Sequence, residues 1–419
     1  MKRLLAISWE MPPLSGPRAV QVTRTLTALG ALGWRSRVVC FGPRSGRYQQ
    51  DYRLRVEESS HGAVTRLPVP SPEEWLFFRA LWRLCPPLKH QPDEKRVWLP
   101  GALAEARRTL AEESADVILS FAQPWTDHLV ALRLHRETRV PWVAHFSDPW
   151  ADSPYLSGNR WARRTAAAHE AAVIAEAARV VFVNRFTRDR VMAKYPAAWM
   201  DRARVVTQGF EPLEPLGPLD SLAVPRASAA LRLVYTGRFY SGIRTPETFL
   251  EALAAIERAR PLAGRLVVEL IGGDMAAYER RARDLGLGAV VHFPGRVGPV
   301  AARASAAGAD ALLVIDAPSD GPSLFLPSKL VDYLPLRKPV LGLTPRPGAS
   351  ADLLDALGYP VVEPSDVAAI AAAVERIIET HASGDLAPSP QHDEVSHGFD
   401  IRETTRAFAA VLDEARGQA

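Results

Sequence analysis

The sequence predicts an α/β protein made of two halves, each with a parallel sheet covered by helices. The chain begins with an apolar strand at 3–9, a Pro/Gly loop, an amphipathic helix at 18–32 and a second strand at 36–41. That order is typical of a Rossmann-like domain. A strand at 231–236 starts a second series of alternating strands and helices after the Pro-, Leu- and Ser-rich segment 211–230, the best linker candidate.

Composition places the chain among globular proteins. Its 419 residues suffice for two or three domains, and 47% are hydrophobic and 23% charged. A net charge of +4 suits an anionic substrate or membrane surface and is weak support for nucleic-acid binding. Cys40 and Cys85 show neither metal-ligand spacing nor a disulfide framework. The apolar stretch 4–8 is too short for a signal peptide, and no run reaches transmembrane length. We expect a cytoplasmic protein.

The segment 311–343 contains the clearest functional signal. A buried strand leads into a Pro/Gly loop, then into a helix that Ser328 can cap, and then into a strand at 340–343. The free N–H groups at the start of a helix attract anions, and Lys329 adds a positive charge there. Asp332 lies one turn further on. We expect a phosphate at Ser328 and Lys329 and a ribose at Asp332. The alternative is an ordinary crossover with Lys329 in solvent.

A second cationic loop follows the strand at 231–236. Arg238 and Arg244 flank Gly242, and paired guanidinium groups on such a loop suit a diphosphate. Either arginine alone would be weak evidence, because surface arginines are common. Together with Lys329 they favour a phosphate site over a solvated face.

The run LPSKLVDYLPLRKPVLGL at 326–343 resembles the nucleotide-binding segment of retaining glycosyltransferases of family four, the group 1-like enzymes. The resemblance implies the GT-B fold, two Rossmann-like α/β domains whose parallel sheets face each other across a cleft. The family has a Glu-x7-Glu motif here. Asp332 stands at the second Glu, which holds the ribose, and Leu324 at the first, so the motif is broken. Asp320 or Ser323 could substitute for the missing carboxylate.

The resemblance extends over nearly the whole chain and implies a set of site residues. Arg238 matches the family's Gly-Arg, and Arg244 stands at a phosphate-binding Lys. In the first Pro-rich loop the family has two glycines, of which Gly16 is kept and Pro17 replaces the other. Arg296 and Val297 match a segment whose backbone contacts the nucleobase. The implied donor-binding residues are Gly16, Arg238, Arg244, Arg296, Val297, Ser323, Leu324, Pro327, Ser328, Lys329 and Asp332.

The acceptor side is expected where the strand at 141–146 ends. Polar residues at the carboxyl end of a parallel strand are where α/β sheets place their sites. By the resemblance, Ser147 and Asp148 face the transferred sugar and the acceptor, with His145 close by. His145 as a satisfied imidazole and Asp148 as a helix cap are the alternatives. With Arg238 and Lys329, Asp148 completes the expected catalytic set.

The helix at 74–84, with its aromatic residues and two arginines, has two interpretations. It could be an interfacial patch that meets a membrane or a lipid-linked acceptor. Because the segment is short and not strongly basic, we favour a helix packed into the core.

The sequence thus predicts an acceptor domain at 1–215, a donor domain at 216–395 and a helix at 396–419 that crosses back to the first domain. The implied activity transfers a sugar from a nucleotide-sugar to a glycan, lipid-linked or small-molecule acceptor, with retention, without metal or cofactor, in polysaccharide, glycolipid or glycoside synthesis. A nucleotide-sugar epimerase or hydrolase on the same fold is one alternative. A degenerate subunit that only binds is the other, favoured by Leu324 and Pro17.

Overall fold

The computed structural model describes residues 1–14, 16–43, 62–68, 76–85, 92–154, 156, 160–212, 229–240, 242–273 and 275–417. The chain divides into two compact units, of which the first comprises Met1–Gly209 with Ile401–Ala419 and the second Phe210–Asp400. The second unit ends five residues after the predicted border at 395, where the final helix begins at Ile401, and the first unit ends six residues before the predicted border at 215. Most of the linker candidate 211–230 lies outside the described residues.

The described part of the first unit contains one parallel sheet in the order β3-β2-β1-β4-β5-β6-β7. The order reverses between β1 and β4, which pair in parallel. Ligands of open α/β sheets bind at this switch point, beyond the carboxyl ends of the strands. The strands are β1 Lys2–Ser8, β2 Trp34–Phe41, β3 Val64–Leu67, β4 Val117–Ala122, β5 Trp142–Phe146, β6 Arg179–Phe182 and β7 Ala203–Val205.

The described part of the second unit contains a parallel sheet in the order β10-β9-β8-β11-β12-β13. Here the order reverses between β8 and β11, which also pair in parallel. The two units therefore repeat one winding scheme, and the predicted pair of Rossmann-like α/β domains is confirmed. The strands are β8 Leu231–Thr236, β9 Leu266–Ile271, β10 Val291–Gly295, β11 Ala311–Ile315, β12 Val340–Leu343 and β13 Val361–Val362.

Helices cover both sheets. Where the apolar residues of a helix recur with a period of 3.6, they form one stripe along the helix, and this stripe is buried. In α7, for example, Phe249, Leu250, Leu253 and Ile256 are buried, as the spacing predicts. The helices of the described residues are α1 Pro17–Ala31, α2 Leu76–Leu84, α3 Leu99–Glu112, α4 Thr126–Thr138, α5 Arg160–Glu176, α6 Arg185–Met192, α7 Glu247–Ala259, α8 Ala276–Asp284, α9 Pro299–Ala307, α10 Ser328–Tyr333, α11 Ala349–Ala356, α12 Val367–Ala382, α13 His392–His397 and α14 Ile401–Arg416.

The last helix, α14, belongs to the first unit. Phe408, Val411 and Leu412 join the apolar cluster that contains Leu4 of β1 and Leu26 of α1. Burial of this apolar stripe fixes the C-terminus of the chain on the sheet of the first unit.

Two expectations about helices are wrong. The helix at 328 is only six residues long and continues as a 3-10 turn at Leu334–Leu336, because Pro335 has no N–H for the ladder. Its N-cap is Pro327, and Ser328 is its first residue without a capping side-chain bond. The aromatic helix α2 buries none of its residues, so its interpretation as a packed core helix fails; Trp75 lies outside the described residues.

Candidate active site

The predicted phosphate residues gather at the switch point of the second sheet. Arg238 and Arg244 lie on the loop that follows β8, and Lys329 lies at the start of α10, which follows the neighbouring strand β11 after a loop. Lys329 approaches β8 closely, since its Nζ lies 3.7 Å from the ring centroid of Tyr235. The sheet order therefore brings together residues that are far apart in sequence.

Lys329 places a buried ammonium group at this point. Its side chain as a whole is half-buried, but its Nζ is shielded from water and has no hydrogen-bond partner in the described part of the chain. Burial and the nearby charge of Arg244 hold the pKa of Lys329 well below its usual range, with Asp316 opposing them. A buried polar group without a hydrogen bond costs roughly 1–3 kcal/mol, and the contact of the Lys329 Nζ with the Tyr235 ring offsets part of that cost.

Gly237 makes room for that ammonium. It has a φ of 142°, which favours glycine, and a Cβ there would come within 2.5 Å of the Lys329 Nζ. The backbone conformation of Gly237 thus favours glycine, and a side chain there would displace the end of Lys329.

The loop after β8 closes on itself and presents both arginines. Backbone bonds between Tyr240 and Arg244 close the turn, and the Arg244 guanidinium donates to the carbonyl of Arg238 at 2.9 Å. Arg244 also lies over the ring of Tyr240, while its Nε is buried with no partner in the described residues. The Arg238 side chain is exposed. One guanidinium is therefore fixed and the other is open to solvent.

A carboxylate that was not among the predicted site residues completes the cluster. Asp316 follows β11 directly, is 4% exposed, and has an Oδ2 without a partner among the described residues. Burial raises its pKa, while the hydroxyls of Ser350 and Thr344 and the charges of Arg244 and Lys329 lower it. Buried unpartnered polar atoms thus converge here from β8, β11 and α10.

The remaining donor-binding candidates surround this cluster in the second unit. Asp332 is half-buried on α10, and Arg296 is exposed with its guanidinium over Gly273. Val297 packs on the apolar cluster behind the sheet. Leu324 and Pro327 are half-buried. Ser323 is buried and its backbone forms an isolated parallel β-bridge with Gly348, whereas Asp320 is exposed.

In the first unit, the acceptor candidates lie at the carboxyl end of β5, the strand next to β4 in the sheet. Asp148 is half-buried and its Oδ2 accepts bonds from Ser147 at 2.9 Å and from Gln123 at 3.2 Å. Ser147 is also tied to the Ala122 carbonyl at 3.0 Å. Burial raises the pKa of Asp148, and these bonds and the charge of Arg18 oppose the rise.

Arg18, which the sequence analysis did not single out, joins β4 to β5. Its Nη2 donates to the Ala122 carbonyl and lies 2.9 Å from Nδ1 of His145. A guanidinium can only donate, so Nδ1 of His145 accepts and the neutral ring carries its proton on Nε2. Burial, and next the charge of Arg18, hold the pKa of His145 well below its usual range. These effects favour the neutral imidazole form of His145, with its proton on Nε2.

The same arginine borders a group of acidic residues below the first loop. Burial lowers the pKa of Arg18 to about 10, with Asp148, Asp127 and Glu10 opposing. Asp127 is fully buried and accepts from the Trp9 N–H at 2.8 Å. Gly16 precedes α1, and a Cβ at Gly16 would lie 3.5 Å from Glu10 Oε2, an ordinary contact. The first unit would therefore tolerate a side chain at Gly16.

Within the described ranges, no group of three or more His, Cys, Asp or Glu side chains is arranged to hold a metal ion. The same ranges contain no helix long and apolar enough to cross a bilayer.

Models of two protein families match the chain. The Glycosyl transferase 4-like domain matches residues 18–209, and Glycosyl transferases group 1 matches residues 230–380. Together they cover most of both units. A search of curated proteins found no significant match.

Solved structures show the same fold. HepE from Anabaena, in complex with UDP-glucose, is 16% identical with a TM-score of 0.67, covering 99% of this chain and 100% of that one. Sucrose-phosphate synthase from Thermosynechococcus elongatus is 17% identical with a TM-score of 0.71, and all of both chains is covered. A glycosyltransferase from Rickettsia africae is 14% identical with a TM-score of 0.66, covering 100% of this chain and 99% of that one. With its 4-like domain followed by a group 1 domain, the chain belongs to the glycosyltransferases of the GT-B fold.

Proposed function

We propose that this glycosyltransferase uses a nucleotide-sugar donor and binds its diphosphate at the switch point of the second sheet. The proposal rests on the buried Nζ of Lys329, which has no hydrogen-bond partner in the described residues and whose pKa is lowered by the nearby charge of Arg244. A folded protein that keeps an unpaired ammonium next to another cation gains stability when a dianion enters. The similar structure of HepE is described with UDP-glucose, which agrees with a donor of this class.

Each part of the donor has a partner in this proposal. Arg238, Arg244 and Lys329 hold the phosphates, together with the first turn at Ser328 and Pro327. Because α10 has only six residues, side-chain charge supplies more of this attraction than the helix dipole. Asp332 holds the ribose, and the base lies against Arg296 and Val297. Gly16 lets the backbone of the first loop approach the diphosphate.

The chemistry follows from where charge develops. As the bond between the sugar and the diphosphate breaks, negative charge grows on the leaving oxygen, and the two arginines and Lys329 stabilise it. We propose that these side chains do this without a metal or cofactor. The sugar becomes oxocarbenium-like and is transferred with retention.

The acceptor is proposed to bind to the domain at 1–215, at Ser147, Asp148 and His145, and the donor to the domain at 216–395. Asp148 accepts a hydrogen bond from the acceptor hydroxyl, and neutral His145 donates one from Nε2. A glycan, a lipid-linked sugar or a small glycoside is the expected acceptor, and the cytoplasm is the expected compartment.

Two alternatives make different predictions. An epimerase or hydrolase would convert the donor fully without an acceptor, and it requires acid–base groups next to the phosphate cluster. A degenerate subunit would bind nucleotide without turnover, and Leu324 and Pro17 are the substitutions that favour it. The presence of Arg238, Lys329 and Asp332 favours the transferase.

Contact with a membrane surface is a further part of the proposal, carried by α2. Leu76, Phe77 and Leu84 are 78%, 68% and 86% exposed, and Arg79 and Arg83 lie on the same helix. Apolar side chains next to arginines suit the boundary of an anionic bilayer. Sedimentation with phosphatidylglycerol vesicles should pull down wild type and leave a Phe77→Ser/Leu84→Ser variant in solution. Equal sedimentation of the two would contradict this contact.

The transferase is tested by nucleoside diphosphate release from a panel of UDP-, GDP-, dTDP- and ADP-sugars, with glycan and lipid-linked acceptors added. Release from one donor should depend on acceptor, disappear in Lys329→Ala and persist in Arg258→Ala, an exposed arginine at the end of α7. Release that is unchanged in Lys329→Ala, or absent with every donor, would contradict the assignment.

A further inference from the structure

The broken Glu-x7-Glu motif leaves the transferred sugar without its expected carboxylate. Leu324 is apolar, and neither neighbour replaces a carboxylate well. Asp320 is exposed on its loop, so no contact of the fold fixes it beside the phosphate cluster. Ser323 is held by its backbone against the turn at Pro347 and Gly348. The loop 316–327 therefore offers a fixed carboxylate at its first residue, Asp316.

Asp316 is placed where a donor sugar would need it. It follows β11, one of the two strands that flank the switch point, and it is 4% exposed. Its Oδ2 has no hydrogen-bond partner in the described residues, although the hydroxyls of Ser350 and Thr344 lie near enough to the carboxyl group to lower its pKa. No lysine or arginine nitrogen of those residues forms an ion pair with the carboxylate, but the charges of Arg244 and Lys329 also lower its pKa. The carboxylate thus borders the phosphate cluster without being neutralised by it.

The chemistry of the free oxygen narrows what can bind there. An ionised carboxylate only accepts hydrogen bonds, so it repels phosphate and attracts hydroxyl groups. The adjoining Lys329 and Arg244 have the opposite preference. A nucleotide-sugar has both parts side by side, a diphosphate joined directly to a ring that carries hydroxyl groups.

We propose that Asp316 is the sugar-binding carboxylate of this chain and accepts a hydrogen bond from a hydroxyl of the transferred sugar, in place of the glutamate whose position Leu324 occupies. The inference rests on the proposed function, because it assumes that the phosphates of a nucleotide-sugar bind at Lys329 and Arg244.

A purely electrostatic role for Asp316 has a different signature. If its carboxylate only balances Lys329 and Arg244, its removal affects every ligand that carries the diphosphate to the same degree. If it holds the sugar, its removal weakens the nucleotide-sugar and leaves the nucleoside diphosphate alone bound as tightly or more tightly, since a negative charge near the phosphates is gone.

The test is calorimetric titration of the full chain with the nucleoside diphosphate and with the nucleotide-sugar that wild type binds. Asp316→Asn keeps the shape of the side chain, and Asp316→Ser is the second variant in case the first does not fold. Asp284→Asn, an exposed carboxylate at the end of α8, is the matched control. The ratio of the two dissociation constants, nucleotide-sugar over diphosphate, should rise about tenfold in the Asp316 variants and stay constant in the control.

A donor that lacks one sugar hydroxyl identifies the bond itself. Loss of that hydroxyl should weaken binding to wild type and cause no further loss in Asp316→Asn, the coupling expected of two groups in contact. An unchanged ratio in both Asp316 variants, or the same effect from Asp320→Asn, would overturn the inference and leave the transferase standing. Wild type that binds no nucleotide would overturn both.

Discussion

The polar groups at the strand ends of the two units are arranged in opposite ways. In the first unit they hold one another, since Asp148 accepts from Ser147 and Gln123, and Arg18 bonds His145. In the second unit the buried Nζ of Lys329 lies over the ring of Tyr235 but has no hydrogen-bond partner in the described residues. The first arrangement is a preformed polar surface that orients what it binds. In the second arrangement, an anionic ligand can supply the hydrogen bonds that the Lys329 Nζ lacks. We therefore expect ligands to bind more tightly to the second unit, with a stronger dependence on their charge.

The strongest challenge to this contrast is Arg238→Ala. Because the Arg238 side chain is exposed, its loss should leave stability within about 0.5 kcal/mol of wild type. Turnover should fall about 100-fold, the scale of one lost group that stabilises transition-state charge. Steady-state kinetics and thermal melts measure the two effects. Arg258→Ala should change neither, and full turnover in Arg238→Ala would remove this residue from the catalytic set.

Lys329→Met sharpens the contrast through stability. Replacing a buried ammonium that has no hydrogen-bond partner with an apolar side chain of similar length should raise the free energy of unfolding by about 1 kcal/mol at pH 7, after the loss of its contact with the Tyr235 ring. The lowered pKa means that the unfolded chain binds more protons above the folded pKa of Lys329, so the cost of the lysine fades as pH rises towards 10.5. Urea titrations at pH 7 and pH 10 measure it. A variant less stable than wild type at pH 7 would show that the lysine is satisfied.

Asp148→Asn examines the preformed surface of the first unit. The amide keeps the shape but replaces one acceptor oxygen, so the bonds from Ser147 and Gln123 weaken and the acceptor loses its partner. We expect KM for the acceptor to rise about tenfold while nucleotide affinity stays constant. Initial rates at varied acceptor concentration, beside titration with nucleotide, separate the two. A change in nucleotide affinity alone would place Asp148 on the donor side.

The smallest effect is expected for Gly16→Ala. The φ of Gly16 is −67° and its added Cβ meets no atom closer than 3.5 Å, so the melting temperature should not fall. Donor affinity should drop a few-fold, about 1 kcal/mol, if the backbone must approach the diphosphate here. Gly237→Ala is the contrasting variant, since its φ of 142° would strain alanine and lower stability, and its Cβ would displace the Lys329 Nζ. An unchanged donor affinity in Gly16→Ala would separate this loop from the donor.

The sheets were predictable because their strands are continuous apolar runs bounded by Gly, Pro or polar residues. The limits of β8 and β9 coincide with the prediction. β3 was not predicted because its four residues are only half-buried. α10 is shorter than predicted because Pro335 has no N–H to continue the helix.

Charge and position in the sequence predicted that Arg244 and Lys329 lie near each other, and the structure brings them together at the ends of β8 and β11. Asp316 and Arg18 were missed although each has a signal, a polar residue at a strand end and a cation in the first turn of a helix. Asp316 stands out because its Oδ2 has no hydrogen-bond partner in the described residues, and Arg18 because it bonds to His145. Both features depend on contacts between distant parts of the chain, which the sequence does not show.

The central claim is that Lys329 binds the diphosphate of a nucleotide-sugar. A thermal-shift panel of UDP, GDP, dTDP and ADP, each with and without its common sugars, tests it on wild type and Lys329→Ala. The account predicts that one nucleotide raises the melting temperature of wild type, because binding to the folded state adds RT ln(1 + [L]/Kd), and that this rise disappears in Lys329→Ala. No shift with any nucleotide, or the same shift in the variant, would contradict it.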